Sequence, residues 1–154
     1  MTSDAITDDA LSTVLTTRWL GRRCSCFGTL TSTQDVARRL SEAGAPEGST
    51  VVADEQTAGR GRQGRQWSSA AGLGIACSMI LPRFANPGVA ALVIGAGVAA
   101  GLTSAGVAGV ALKWPNDVMG ADDAEGSSPL SWSDSAAAGA RKVAGVLIEG
   151  VGGE

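Results

Sequence analysis

Two short segments hold the residues best suited to chemistry. The first, Gly59-Arg60-Gly61-Arg62-Gln63-Gly64-Arg65-Gln66-Trp67, packs three glycines, three arginines and a tryptophan into nine positions. Such a run offers a backbone that can approach an anion closely, guanidinium forks to bind it and an indole to cover an apolar or aromatic group. Its glycines also satisfy GxGxxG, the dinucleotide-binding spacing, but that fingerprint must open an apolar helix packed on a sheet. Here Arg65-Gln66-Trp67-Ser68-Ser69 reads as a continuing polar loop, so the dinucleotide reading fails, and no GxxxxGK[ST] phosphate loop occurs. A solvated basic loop and an RGG-like nucleic-acid loop are the alternatives. The second lacks the repeated basic and aromatic pattern that single-stranded binding uses.

The second segment is Lys113-Trp114-Pro115-Asn116-Asp117. Lys113 ends an apolar run, Ala111-Leu112, and reads either as an edge lysine with its head in water or as a partly desolvated cation that fixes a carboxylate or phosphate. The Pro-Asn-Asp turn behind it offers an amide and a carboxylate. Lysines are scarce: the 12 basic residues include only Lys113 and Lys142. Histidine is absent, which excludes Ser-His-Asp and Cys-His nucleophilic sites, His-ligated metals and imidazole pH switches. Activating a carboxylic acid with ATP needs no histidine, because the carboxylate is already an anion at neutral pH. The obstacle is repulsion between carboxylate and phosphate, which Arg, Lys and Mg²⁺ relieve.

These residues need a frame. A chain of 154 residues with 44% hydrophobic and 18% charged content suits one globular domain with its own core. The net charge is -3, yet Arg18 to Gly120 holds nine Arg and one Lys against six acids, so a basic middle lies between acidic ends. Cys24, Cys26 and Cys77 are odd in number and lack CxxC spacing; they read as buried thiols of a reducing compartment. Met1 to Thr17 has no basic n-region or long apolar core, which speaks against a secretory signal and for the cytoplasm. Phe84 to Leu112 contains no charge, the length of a membrane span, but Pro87, Thr103, Ser104 and many Ala and Gly favour two buried elements of a soluble domain.

Hydrophobic spacing predicts a helix over Ala10–Leu20, with Leu11, Val14, Leu15 and Trp19 on one side, and a strand over Arg22–Leu30. A second helix is predicted at Thr33–Ala43, with Ser32 as N-cap, Asp35 in a weak capping box and Gly44 and Pro46 as the stop. Strands at Thr50–Asp54 and Gly74–Leu81, a helix at Gly88–Ala105 and strands at Val110–Trp114 and Val143–Val151 complete the pattern. Gly120–Gly139, rich in Ser, Ala, Gly and Asp, reads as a flexible surface insertion. The irregular alternation points to an α+β domain with a mixed sheet and packed helices.

Four blocks give this sequence a family resemblance: Thr31-Ser32-Thr33-Gln34, Gln56 through Trp67, Lys113 through Asp117, and Arg141 through Glu149. In order and approximate spacing they resemble the biotin protein ligases, the biotin-[acetyl-CoA-carboxylase] ligases. The resemblance implies a catalytic domain of the class II aminoacyl-tRNA synthetase and biotin ligase fold over 28–154, after an N-terminal helix and lead-in over 1–27. It implies ATP-dependent formation of biotinyl-5′-AMP, then transfer to a lysine of the biotin carboxyl carrier protein of an acyl-CoA carboxylase. By position, Ser32, Thr33, Gln34, Gln56, Gly59, Arg60, Gly61, Arg62 and Lys113 would hold biotin. Arg62, Arg65, Trp67, Asn116 and Lys142 would hold ATP. Lys113, Arg62 and Asp117 would be the catalytic residues, with Asp117 assisting Mg²⁺ or the incoming lysine.

Three departures from the family pattern stand out. Gln34 takes the place of an Asn, lengthening the reach by one methylene. Residues 120–140 exceed the usual short connection, and the chain ends before the further catalytic elements and SH3-like barrel that the family continues with. No helix-turn-helix DNA-binding region is read at the N-terminus. The alternatives are a lipoate or octanoate transferase of the same superfamily, or a truncated remnant that binds biotin or adenylate without turnover.

Overall fold

In a computed structural model of the chain, residues 6–69, 71–121 and 140–151 are described. They divide into two units, Met1–Arg83 with Gly150–Glu154, and Phe84–Glu149. The secondary structure is mixed α and β, as expected from the irregular alternation of elements.

The first unit is built around β2 (Thr50–Arg60). Strand β1 (Cys24–Leu30) pairs with it in parallel, with Ser25 opposite Val51 and Phe27 opposite Ala53. A parallel neighbour needs a crossover, supplied by α2 (Thr33–Glu42). Strands β3 (Gln66–Ser69) and β4 (Ala76–Met79) pair antiparallel with β2, β4 along its first half and β3 along its second. Side chains alternate across a strand, so Val51 and Ala53 share a face with Ala76 and Ser78. All four are buried, as is Ala37 of α2, and α2 lies on this face.

Strand β2 runs six residues past the predicted end at Asp54. The stretch read as a polar loop is a β-hairpin: Gly59 pairs with Trp67 and Arg60 with Gln66, after a register shift between Gln56 and Gly59. Composition hid this, because Gly, Arg and Gln are poor strand formers, whereas the ladder needs only backbone groups that find partners. Helix α1 (Asp8–Val14) begins earlier and stops sooner than expected. Leu15 leaves the helical region with φ -73° and ψ 122°, and its carbonyl accepts a hydrogen bond from Arg22 Nη1 at 3.0 Å. Trp19 is drawn out of the helix and lies against Gly48, where φ is +86° and an added Cβ would come within 2.6 Å of the indole. Cys24 and Cys26 are half-buried and Cys77 is exposed, so the expectation of three buried thiols is corrected. Burial, followed by hydrogen bonds with Asp8 and Cys24, pushes the Cys26 thiol up to about 12.

The second unit opens with α3 (Pro87–Ser104). Asn86 Oδ1 caps it by accepting the Gly88 and Val89 amides at 2.9 and 3.2 Å, and Pro87 occupies the first turn, where no intrahelical donor is lost. Strands β5 (Ala111–Lys113), β6 (Asp117–Gly120) and β7 (Arg141–Gly145) follow as an antiparallel meander, with Val118 fully buried. An added Cβ on Gly120 would meet Val143 Cγ1 at 2.9 Å, which fixes the close approach of β6 and β7.

The expected buried helix is corrected in one respect. Among the described residues of its unit α3 packs chiefly on β5 and β6; Ala90 and Gly95 are buried while Val89 and Val93 are exposed. By length and composition alone α3 could cross a membrane. Most of the predicted insertion, residues 122–139, lies outside the described residues.

Candidate functional site

The N-terminus of α2 gathers the polar groups of the first unit. Ser32 is the N-cap by backbone geometry, with φ -158° and ψ 128°, but its side chain makes no cap hydrogen bond. The expected capping box is therefore absent. The first-turn amide of Thr33 instead donates to Gln56 Oε1 of β2 at 2.8 Å. Asp35, expected to back the cap, forms an ion pair with Arg60. A side chain from the neighbouring strand takes the first amide of the helix, and it ties α2 to β2 at the position where Gln56 stands.

Thr33 Oγ1 reaches Gln56 Oε1 at 3.0 Å and Ser78 Oγ at 2.8 Å. Ser78 Oγ also reaches Gln34 Oε1 at 2.8 Å. Two hydroxyls thus face three contacts among themselves and two amide oxygens. Each hydroxyl has a single proton to donate, so one of the three contacts lacks a proton at any instant. Ser32, Thr33 and Ser78 are buried, and Ser32 Oγ has no partner. Buried polar groups are nearly always satisfied, so the unpartnered Ser32 hydroxyl is where a ligand could supply a hydrogen bond.

Ser78 is the residue that sequence reading missed. Its signal was available: it stands in the apolar run Ile75-Ala76-Cys77-Ser78-Met79, where a hydroxyl on the buried face of a strand needs a reason. Only the register Val51 to Ser78 sets it against α2.

The arginine hairpin closes beside this cluster. The Gly61 amide donates to the Arg65 carbonyl at 2.7 Å and the Arg65 amide to the Arg62 carbonyl at 3.2 Å. Gln63, at φ 58°, and Gly64, at φ 72°, turn the chain, so Arg62 and Arg65 project at an exposed tip while Trp67 is half-buried. Gly59 is buried, and a Cβ there would fall 2.5 Å from the Trp67 carbonyl and 2.8 Å from Gln56 Nε2. The glycine leaves room for the Gln56 amide as well as for the neighbouring strand.

In the second unit, the β5–β6 hairpin sets Lys113 opposite Asp117 in register, with a cis Trp114–Pro115 bond in its turn. Lys113 is exposed, a solvated lysine at a strand end. The Asn116 carbonyl accepts the Val146 amide at 2.8 Å, and Lys142 Nζ lies 2.7 Å from Asp117 Oδ1. Lys142 is thereby held by Asp117, and Lys113 stands across the hairpin from Asp117 in register.

Residues 26–154 match the Biotin/lipoate A/B protein ligase family. Over 109 residues the chain is 39% identical to the bifunctional ligase/repressor BirA of Bacillus subtilis (strain 168), covering 68% of this chain and 33% of that protein. With the bifunctional ligase/repressor BirA of Escherichia coli (strain K12) it shares 35% identity over 105 residues, covering 66% and 27%. Among solved structures, the biotin protein ligase from Aquifex aeolicus in complex with biotin and ATP superposes with a TM-score of 0.57 at 36% identity. That match covers 64% of this chain and 45% of the other. The biotin acetyl coenzyme A carboxylase synthetase from Helicobacter pylori with bound biotinylated ATP gives 0.54 at 25% identity, covering 62% and 48%. The chain spans about a third of the length of the Bacillus relative.

Proposed function

The chain belongs to the biotin/lipoate A/B protein ligase family, and from that premise we propose that it serves ATP-dependent biotin ligation. The observation that carries this reading is the polar cluster of buried Ser32, Thr33 and Ser78 with half-buried Gln34 and Gln56, in which Ser32 Oγ has no partner. The ureido ring of biotin offers two N–H donors and one carbonyl acceptor. The N–H groups complement the oxygen acceptors of the cluster, and the carbonyl complements the start of α2, where the Ser32 side chain makes no cap hydrogen bond. A lipoyl or octanoyl chain has no such donors, which disfavours the transferase alternative.

In the proposed reaction a carboxylate oxygen of biotin attacks the α-phosphorus of ATP. The bond to the bridging oxygen breaks and pyrophosphate leaves with its electron pair. A lysine amine of a carrier protein then attacks the acyl carbon, AMP departs, and the amine loses its proton. Neither step needs imidazole. Arg62 and Arg65 at the hairpin tip of the first unit carry positive charge to the phosphates, the group of interactions that gains most as charge redistributes. In the first unit Gly59, Gly61 and Arg60 are assigned to biotin and Trp67 to the nucleotide; in the second, taken by itself, Lys113 is assigned to charge stabilisation and Asn116 and Lys142 to the nucleotide.

ATP is taken as its Mg²⁺ complex, the ion belonging to the substrate. Asp117 alone does not make a magnesium cage, which draws oxygen ligands from carboxylates and phosphates together. Paired with Lys142, it serves first to hold that ammonium in place.

The test is intact-mass analysis of a biotin carboxyl carrier protein incubated with this chain and Mg-ATP, in parallel with biotin, lipoate and octanoate. A biotin adduct is expected. An octanoyl or lipoyl adduct without a biotin one would move the chain to the transferases. Biotin binding by calorimetry without any adduct would leave a binding remnant.

A further inference from the structure

We propose that Asp8, Cys24 and Cys26 form a zinc site on the face of the first unit opposite the biotin-side cluster. Cys24 and Cys26 stand two apart on β1, so both side chains leave the same face of the strand, and their Sγ atoms lie 3.8 Å apart. That separation is far too long for a disulfide, and both thiols are free. It matches the edge of a zinc tetrahedron: with Zn–S at about 2.3 Å, two thiolates at the tetrahedral angle sit about 3.8 Å apart.

The third ligand comes from a different element. Asp8 opens α1, and its Oδ1 accepts the Cys26 amide at 2.8 Å, which pins the carboxylate over β1. One carboxylate oxygen and the two sulfurs all lie within 4.8 Å of one another. Two soft thiolates and one carboxylate suit zinc better than magnesium or calcium, which take oxygen alone.

The register excludes the remaining cysteine. Cys26 pairs with Val52, and Val52 pairs with Cys77, so two strand spacings, about 9.5 Å, separate Cys77 from Cys26. A ligand set of three leaves the fourth zinc position to an exchangeable group. The same alternation puts Ser25, Val51 and Ser78 on the opposite face from Cys26, Val52 and Cys77. The site therefore does not share residues with the cluster assigned to biotin. Asp8 and Cys24 also precede the residues matched by the family, which begin at 26. In this position the ion would fasten α1, which otherwise has no buried residue, to the edge strand of the sheet.

The experiment uses the full 154-residue chain, metal-free and kept reduced with a phosphine. ZnCl₂ is titrated against a chromophoric chelator, and CoCl₂ is added separately to read thiolate-to-metal charge transfer. One zinc per chain is expected, with affinity at least tenfold weaker in Cys24→Ser, Cys26→Ser and Asp8→Asn and unchanged in Cys77→Ser. Asp8 is exposed, so Asp8→Asn keeps the test intact if a cysteine variant misfolds, and far-UV circular dichroism checks each variant. Folded wild-type chain that binds no zinc would overturn the site. So would zinc affinity and a cobalt charge-transfer band retained in the Cys24→Ser/Cys26→Ser double variant.

Discussion

Thr33→Val separates a binding role for the α2 cluster from a structural one. Valine has the shape of threonine with the hydroxyl replaced by a methyl, so the packing of a residue only 3% exposed is kept. The substitution deletes the contacts of Thr33 Oγ1 to Gln56 at 3.0 Å and to Ser78 at 2.8 Å. Neither partner is stranded: Gln56 Oε1 keeps the Thr33 amide at 2.8 Å and Ser78 keeps Gln34 at 2.8 Å. The penalty therefore falls at the low end for lost hydrogen bonds, about 1 to 2 kcal/mol for two, partly offset by about 0.8 kcal/mol for a newly buried methyl. A net loss of about 1 kcal/mol lowers the melting temperature by roughly 2 to 4 °C in a chain of this size. Biotin affinity should fall further, because the hydroxyl is where a ureido N–H would donate. Losing one neutral hydrogen bond to a ligand, together with the desolvation of its unpaired donor, costs about 1.5 to 3 kcal/mol, a 10- to 100-fold rise in Kd. Thr33→Ser, which keeps the hydroxyl, should bind nearly as wild type. Calorimetry of biotin binding and thermal melting of the same three proteins provide the measurement. An unchanged biotin Kd in Thr33→Val, with the melting temperature lowered as expected, would refute the assignment and leave the cluster a brace between α2 and the sheet.

Gly59→Ala should destabilise the first unit by about 1 to 3 kcal/mol, the range for overpacking. The added Cβ meets a backbone carbonyl at 2.5 Å that has no freedom to move, and it displaces the Gln56 amide; thermal melting should show the loss and calorimetry a weakened biotin affinity. Asp117→Asn should cost less than about 1 kcal/mol of stability, because solvent screens an ion pair whose side chains are 26% and 36% exposed. It should raise the KM for ATP several-fold by releasing Lys142, with the KM for biotin unmoved; a change confined to biotin would contradict the nucleotide-side role.

Much of the frame was legible where one physical signal dominated. Helix α2 appears within one residue of its expected bounds because apolar spacing and the Gly44–Pro46 stop agreed. Helix α3 does so because Asn86-Pro87 is a strong start and Gly106 a strong stop. The shortened α1 and the lengthened β2 were decided by partners distant in sequence. Arg22 and Gly48 draw the Leu15–Trp19 segment out of a helix that its apolar spacing favours. Trp67 and Gln66 hold Gly59 and Arg60 in a ladder that their propensities oppose. In both cases long-range contacts outweighed local preference, and no window of sequence contains both sides of such a competition.

The site divides along the same line. Residue types and spacing singled out the Gly59–Trp67 segment and the two lysines as candidates, and the family resemblance added Thr33 and Gln56. Spacing could not say what Ser32 does. An N-cap serine with an acid three residues on reads as a capping box, yet the Ser32 side chain makes no cap hydrogen bond and Arg60 pairs with the acid. The serine hydroxyl is left buried and unpartnered. Gln34 follows from the same geometry. With its amide oxygen 2.8 Å from Ser78 Oγ, the Gln34 side chain reaches across to β4, a contact that only the strand register creates. The fold thus replaces local capping with polar contacts that join α2 to β2 and β4.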